Sequence, residues 1–194
     1  MYHELFRRAS FWAFLFSVDE DLAKVTREAG CPCGGRLHGA NFPRKPRGVR
    51  EKLPESYSCR LSFCCERDGC RKRKTSPSVR FLGRKVYLGA VVVLVAAMRQ
   101  GPSPRRVREL TELFGADVRT IARWRKFWRE HFPQTPFWKV ARGRFMPGLA
   151  MADLPRALLE AFIHRQDSHQ DWERLLRFLA PITTTGGLAI EGNS

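Results

Sequence analysis

Four of the six cysteines form two close pairs, a pattern typical of metal ligands. One residue separates Cys31 from Cys33, and four residues separate Cys65 from Cys70. A tight turn at each pair would direct two thiolates at one tetrahedral ion, and a glycine in each turn would supply the backbone freedom required. We therefore predict a structural Zn²⁺ site with these four ligands, because four protein ligands leave no open coordination position for a substrate.

The ligand set leaves alternatives open, because two residues usually separate the cysteines of such a pair. Cys64 could replace Cys65, His38 could replace one thiolate, and Cys59 is a spare thiol. Cysteines that serve only to pack are a weaker interpretation, since the surrounding region is polar and basic and offers little core.

The segment that carries the cysteines, residues 31–80, is rich in glycine, proline and basic side chains and shows little helical periodicity. Residues 57–65 are strand-like, so two turns joined by strands predict a small β zinc ribbon. Basic residues fill the loop between the pairs and follow the second pair. We predict contacts with DNA phosphates, with a merely solvated basic loop as the alternative, for Arg44, Lys45, Arg47, Arg71, Lys72, Arg73 and Lys74.

A second basic region, residues 103–132, has the outline of a helix-turn-helix. Ser103 followed by Pro104 is typical of a helix start, Gly115 of a helix end, and Asp117 of a second N-cap. The apolar stripe predicted for the second helix consists of Val118, Ile121, Trp124 and Trp128. The apolar residues 81–99 predict a core helix before this pair, which completes a trihelical unit.

The arginines of the second helix are the candidates for reading DNA. An α-helix fits the major groove, and the residues near its N-terminus reach base edges. Base contacts are therefore predicted for Arg119, Thr120 and Arg123. Phosphate contacts are predicted for residues further along the helix, namely Arg125, Lys126 and Arg129. An arginine face that is only solvated is the plain alternative.

Helices are predicted on both sides of these regions. Residues 1–30 form an N-terminal helical segment whose stripe packs on its own domain or forms a seam for self-association: Phe11, Leu15, Val18, Leu22 and Val25. Residues 133–182 are interpreted as an extended basic segment followed by two short helices, 154–164 and 172–179. Residues 183–194 are predicted to be a disordered tail. The predicted fold class is mainly α with a small β zinc ribbon, a trihelical helix-turn-helix in residues 81–132, and flanking helices.

The charge is concentrated in the middle of the chain. Of the 35 Lys and Arg and 19 Asp and Glu, residues 36–144 hold 27 and 8, which gives a charge of +19 there and −3 in the remainder. A polyanion is the natural partner of such a segment. An anionic membrane surface is less suitable, because the charges lie among cysteines, prolines and short helices rather than on one long amphipathic helix.

Two apolar segments imitate membrane elements. Residues 9–18 follow two arginines but end in an acidic run without a small-residue cleavage site, which argues against a signal peptide. Residues 86–98 are too few to cross a bilayer of about 30 Å as a helix. We therefore expect a cytoplasmic protein with reduced thiols.

The order of these parts resembles the N-terminal DNA-binding region of bacterial insertion-sequence transposases with a zinc ribbon. The resemblance covers roughly residues 31–132 and rests on Cys31-Pro32-Cys33-Gly34-Gly35, on Cys65 with Cys70, and on Ile121-Ala122-Arg123-Trp124. In that family the ribbon and helices grip the terminal repeat of the element. The resemblance implies the same task here for the four cysteines and the helix from Asp117, and association with the bacterial nucleoid.

No catalytic site is predicted. The transposases use three carboxylates to hold two metal ions, but the 62 residues after Phe132 predict helices and a tail rather than successive strands. The chain has no phosphate-binding glycine loop or nucleophile elbow. His164 and His169 are five residues apart and would face different sides of a helix. We expect a protein that is not an enzyme.

The first functional hypothesis is a zinc-stabilised, sequence-preferring protein that binds double-stranded DNA, has a mobile-element origin, and acts as an accessory factor or transcriptional regulator. A protein-interaction module for a separately encoded recombinase is the second hypothesis, and RNA binding is the third. Paired helices of this kind typically bind duplex DNA, which favours the first hypothesis. No membrane or small-molecule partner is expected.

Overall fold

The computed structural model describes residues 5, 7–48, 53–81, 89–96, 103–145, 148–164 and 168–184. The fold is mainly helical, which confirms the predicted class at that level. Its helices are α1 (Ala9–Glu28), α2 (Gly89–Ala96), α3 (Pro104–Phe114), α4 (Val118–Lys126), α5 (Pro136–Ala141), α6 (Arg156–Phe162) and α7 (His169–Leu179). A π-helical turn, Phe127–His131, continues α4 directly, and 3₁₀ turns occupy Glu55–Ser58, Phe132–Gln134, Arg142–Arg144, Met151–Asp153 and Ala180–Thr183.

Five short strands form two antiparallel sheets. They are β1 (Leu37–Gly39), β2 (Phe42–Pro43), β3 (Cys59–Arg60), β4 (Ser62–Cys65) and β5 (Arg73–Thr75). One sheet has the order β1-β4-β5, and β2 pairs with β3. The single strand predicted over residues 57–65 is divided between β3 and β4, which lie in different sheets. Tyr57 precedes both strands, because it closes a 3₁₀ turn by donating its N–H to the carbonyl of Pro54. We call residues 30–75 the cysteine sheet.

One hydrophobic core joins most of the helices. Its buried residues include Phe11 of α1, Val91 of α2, Trp124 of α4, Leu158 of α6 and Trp172 of α7. Helix α2 packs against α4 and α6, and α1 packs against α7. Of the core helix predicted over residues 81–99, residues 89–96 are helical and Phe81 is not, while residues 82–88 and 97–102 lie outside the described ranges.

Helix α1 buries most of its predicted stripe within its own chain. Phe11, Leu15 and Val18 are in the core, and the rings of Phe11 and Trp172 lie 6.4 Å apart. Val25, however, is 64% exposed, and Ala23 packs with the cysteine sheet instead. A stripe that repeats every 3.5 residues drifts around a helix of 3.6 residues per turn, which moves its last members away from the core.

A buried ion pair connects three parts of the fold. The Asp19 carboxylate of α1 accepts hydrogen bonds from the Arg80 Nε at 2.8 Å, the Ser78 hydroxyl at 2.6 Å and the Val79 N–H at 2.7 Å. Arg80 also donates to the carbonyls of Tyr57 at 3.0 Å and Cys59 at 2.8 Å. The pair therefore joins α1, β3 and the segment that follows the cysteine sheet.

Residues 136–141 form helix α5, so the extended segment predicted there is wrong. Thr135 caps the helix by accepting the Trp138 N–H at 3.2 Å, and Pro136 occupies the first turn. Trp138 is fully buried, with its ring 5.0 Å from that of Phe132. Arg142 and Arg144 follow in an exposed 3₁₀ turn.

The two predicted C-terminal helices correspond to α6 and α7. Thr183, the first residue of the predicted tail, is buried, and its hydroxyl accepts the Ser78 N–H at 2.9 Å. Residues 185–194 of that predicted tail lie outside the described residues. Among the helices that the structure describes, none combines the length and apolar character required to span a membrane.

Candidate metal centre and basic surfaces

Four thiols converge in the cysteine sheet. The sulfur atoms of Cys31, Cys33, Cys65 and Cys70 all lie within 4.8 Å of one another. Cys31 Sγ is 3.7 Å from Cys70 Sγ, and Cys33 Sγ is 3.5 Å from Cys65 Sγ. Within the described ranges, no other group of three or more His, Cys, Asp and Glu side chains is placed to share an ion. The four predicted ligands therefore form one site.

The spacing of these sulfurs fits a metal ion. A tetrahedral ion with Zn–S bonds of about 2.3 Å separates its sulfur ligands by about 3.8 Å. A disulfide would require about 2.05 Å, so the four cysteines are free thiols rather than two bridges. The cluster is positioned to hold a metal ion through four sulfur donors.

The first turn needs glycine at two positions for different reasons. Gly34 has a φ of +81°, a left-handed conformation that side chains disfavour. Gly35 is limited by space, because a Cβ there would lie 2.6 Å from Cys65 Sγ. The Cys31 N–H donates to the Gly35 carbonyl at 3.1 Å, and the Gly34 N–H donates to the Cys31 carbonyl at 2.8 Å. The turn is thus closed tightly around the thiols.

The second turn is joined to the first by side chains. Arg67 Nη1 donates to the Cys33 carbonyl at 2.5 Å. The Glu66 carboxylate accepts the Arg36 N–H at 3.0 Å, and the Glu66 N–H donates to the Arg36 carbonyl at 3.0 Å. Gly69 has a φ of +81°, as its predicted turn requires. These contacts hold the two cysteine pairs against each other.

The pKa values of two of these thiols are shifted in opposite directions. The Gly35 N–H and hydrogen bonds from the other three thiols lower the pKa of Cys33 to about 6. The Arg67 N–H lowers the pKa of Cys65, but desolvation and the neighbouring thiols raise it by more, to about 12. Hydrogen bonds from the neighbouring thiols therefore favour the thiolate form of Cys33. A bound ion would replace those protons.

The alternative ligands lie outside this cluster. Cys65 faces Leu37 in the register of β1 and β4, whereas Cys64 pairs with His38. Since neighbouring residues of a strand point to opposite faces, Cys64 is turned away from the thiols, and its sulfur donates to the Arg71 carbonyl at 3.4 Å. His38 Nε2 lies 2.9 Å from Glu66 Oε2. Cys59 lies in β3, which pairs with β2 and not with the strands β1, β4 and β5.

Helix α4 begins with the predicted cap. Asp117 accepts the Thr120 N–H at 2.6 Å, and this N–H, the Thr120 hydroxyl and the charges of Arg123 and Arg119 lower the pKa of the Asp117 carboxyl. Gly115, with a φ of +61°, ends α3 as predicted. The turn between the two helices therefore has the predicted length and chemistry.

The predicted base-contact residues separate into two environments. Arg119 and Arg123 are exposed on the outer side of α4. Thr120 is only 4% exposed, and its hydroxyl lies 2.9 Å from Arg123 Nη2, from which it accepts a hydrogen bond. Val118 also departs from prediction: it is 56% exposed, while the rest of its predicted stripe is buried. Thr120 supports Arg123 from inside, and Val118 lies on the surface.

The predicted phosphate contacts are mostly exposed. Lys45, Arg47, Arg71, Lys72 and Arg73 in the cysteine sheet are exposed, and Arg44 and Lys74 are half-buried. In α4 and the π-helical turn, Lys126 and Arg129 are exposed and Arg125 is half-buried. Some have acidic neighbours: Arg71 pairs with Asp68 at 2.6 Å and Lys126 with Glu130 at 3.6 Å.

Two of these arginines meet at one aromatic ring, a contact that the sequence did not reveal. The guanidinium carbons of Arg44 and Arg73 lie 5.2 and 5.6 Å from the centre of the Phe42 ring. Arg73 also donates to the Ala40 carbonyl at 3.1 Å. Within the described part of the chain, neither arginine forms an ion pair with a carboxylate.

Phe42 and Arg67 were missed by sequence reasoning. Gly35 was part of the predicted cysteine motif, but its close approach to the thiols was not predicted. Arg67 had no local signal, because its partner Cys33 is 34 residues away. For Phe42 the only local signal was Arg44, two residues further along, since its other partner, Arg73, belongs to β5.

No protein-family model matches the chain, and comparisons with curated proteins and with solved structures give no match.

Proposed function

We propose that the protein binds double-stranded DNA with a sequence preference, without catalysing a reaction, and that a structural Zn²⁺ ion stabilises its cysteine sheet as a zinc ribbon. The proposal rests chiefly on α4. One side of this helix is anchored in the core by Ile121, Trp124 and the Trp128 that follows it, and the other side presents exposed arginines. A helix held in this way is a rigid element of the kind that enters a major groove.

Zinc is favoured by the donor set. Four sulfur ligands at tetrahedral spacing suit Zn²⁺, whereas oxygen donors would suit Mg²⁺ or Ca²⁺. With all four positions occupied by protein, the ion would hold the two turns together and offer no position for water or substrate. Its role would be to fix the basic side chains that surround the turns.

The DNA contacts follow from exposure. Arg119 and Arg123 would contact base edges, with guanine the preferred partner of a bidentate guanidinium. Thr120, inside the protein, would orient Arg123 rather than contact a base. Phosphates would be contacted by exposed cations of the cysteine sheet and of the C-terminal half of α4. The charge of +16 supports a polyanionic partner.

The biological setting comes from the resemblance to insertion-sequence transposases alone. A helix-turn-helix and a zinc ribbon that grip DNA would suit an accessory factor of a mobile element or a transcriptional regulator. Binding to a separately encoded recombinase would be compatible with either role. Self-association through the predicted stripe of α1 is disfavoured, since most of that stripe packs inside the chain.

The test uses the zinc-loaded protein at physiological salt to select the duplexes that it binds from a library of random DNA duplexes. The retained duplexes are then sequenced. A recurrent motif is expected, and an Arg119→Ala, Arg123→Ala double variant should retain DNA without enriching that motif. Lys139→Ala, which removes one exposed cation from α5, is the matched control and should enrich the same motif. Retention without any motif would contradict sequence preference and favour the protein-interaction module.

A parallel library of folded RNA tests the RNA-binding alternative.

A further inference from the structure

Val118 is an apolar side chain on an otherwise cationic helix face. It is 56% exposed at the first position of α4, directly beside the exposed Arg119. At about 100° per residue, Val118 lies roughly 100° around the helix from the middle of the buried stripe of Thr120, Ile121 and Trp124. The backbone of α4 therefore turns Val118 away from the core.

The neighbours of Val118 on this face are small or positively charged. Ala122, one turn further along the same row, is also exposed. Arg119 and Arg123 form the adjacent row. The outer face of α4 thus presents a small apolar strip next to two guanidiniums, at the end of the helix that would reach base edges.

We propose that Val118 contacts the 5-methyl group of a thymine, next to the base that Arg119 or Arg123 reads. This inference rests on the proposed DNA-binding function and specifies what its site recognises. The thymine methyl is the one apolar group that base pairs present in the major groove, and apolar side chains recognise it there. An arginine and a valine side by side would therefore select a guanine and a thymine at neighbouring positions.

The experiment uses the duplex obtained by selection with the wild-type protein. Each thymine is replaced in turn by deoxyuridine, which removes only the methyl group and keeps every hydrogen bond of the base pair. We expect one position at which this replacement weakens binding about fourfold, the effect of one apolar methyl group withdrawn from contact. The other thymines should respond by less than twofold.

Three variants assign the effect to Val118. Val118→Ala should bind thymine and uracil duplexes equally at the sensitive position, whereas Val118→Thr, which keeps one methyl group and the shape, should retain the sensitivity. Val140→Ala is the matched control, because Val140 is 83% exposed on α5 and lies outside α4. Circular dichroism should show the same helix content for all three variants, since these side chains are exposed.

The outcomes separate the inference from the function on which it rests. A selected motif in which no thymine responds to uracil, or a response that persists in Val118→Ala, overturns the contact while DNA reading by α4 stands. Failure of the selection to give any motif overturns the DNA-reading function itself, and the thymine contact with it.

Discussion

The Arg80 guanidinium and the Asp19 carboxylate lie 2.8 Å apart, and both side chains are excluded from solvent. They are 61 residues apart in the sequence, because Asp19 precedes the cysteine sheet and Arg80 follows it. Arg80 also stacks on the rings of Phe16 and Tyr57, with its guanidinium carbon 4.7 and 4.8 Å from their centres. Every nitrogen of this buried cation has a backbone or carboxylate acceptor.

Removal of Arg80 should destabilise the whole fold. In Arg80→Met the Asp19 carboxylate stays buried without its partner, so we expect the free energy of unfolding to fall by about 3–5 kcal/mol. Urea unfolding followed by circular dichroism measures the loss. Arg105→Met, which breaks an exposed pair with Glu109, is the control and should change stability by less than about 0.5 kcal/mol. An equal effect of the two substitutions would show that the Arg80 pair is not buried in solution.

Adjacent cysteines should differ in metal binding. Cys65→Ser removes one of the four sulfur donors and should lower the intense sulfur-to-metal charge-transfer absorption of the cobalt-substituted protein. Cys64→Ser alters a side chain on the opposite face of the same strand and should leave that spectrum unchanged. Elemental analysis of the purified variants gives the metal content independently. Loss of the metal from the Cys64 variant would contradict the register of β1 and β4.

Gly35→Ala tests the space around the thiols. Its Cβ would lie 2.6 Å from Cys65 Sγ, so the sulfur must move, and metal affinity should fall about 10- to 100-fold, as for other changes behind metal ligands. Gly39→Ala is the matched control, since a Cβ there meets nothing within 4 Å. Competition with a chelator of known affinity measures the metal affinity of both variants. Equal affinities for the two variants would show that the turn is wider than described.

Arg123→Ala should lower discrimination without unfolding the protein. The side chain is exposed, so circular dichroism should be unchanged, while the preference for one base pair falls about 5- to 150-fold. Thr120→Val removes the hydroxyl that accepts from Arg123 and should weaken the preference at the same base pair by less. Binding to duplexes with single base-pair changes provides the measurement. Loss of preference at a different base pair in the Thr120 variant would contradict its support of Arg123.

Phe42→Leu should weaken DNA binding although it changes no charge. The ring holds the guanidiniums of Arg44 and Arg73 in place, and without it these side chains gain freedom that must be lost on binding. The slope of log affinity against log salt should become shallower by about one to two, the effect of one or two lost phosphate contacts. Phe42→Trp keeps an aromatic face and should restore the slope. An unchanged slope in Phe42→Leu would show that the ring is not required for phosphate contacts by these arginines.

Helix starts and ends could be predicted where the chain signals them locally. Pro104, Gly115 and Asp117 bound their helices as expected, because each acts through its own backbone or its nearest neighbours. Thr135-Pro136 is a signal of the same kind, but the surrounding prolines and arginines suggested an extended segment. The burial of Trp138 in the aromatic core is what favours a helix there.

Contacts that depend on register or on distant segments could not be predicted. The choice between Cys64 and Cys65 follows from pairing with β1, which begins 28 residues earlier. Asp19 looked like the end of an apolar run, since nothing near it in the sequence indicates a partner at residue 80. Val118 is apolar like the other residues of its predicted stripe. That it faces outward depends on which side of α4 packs on the core, and only the structure shows this.

Lys74 Nζ of β5 donates to the Gly30 carbonyl at 3.1 Å, and α1 is joined to the segment after β5 by the ion pair of Asp19 and Arg80. The helical core therefore brings together the two ends of the segment that carries all four thiols, which reduces the loop entropy lost when they close around an ion. Thermodynamic linkage makes this relation reciprocal: a bound ion must stabilise the helices as much as the helices strengthen its binding. Release of the metal ion would then indicate whether the helical core is folded, although that core contains none of the four cysteine ligands.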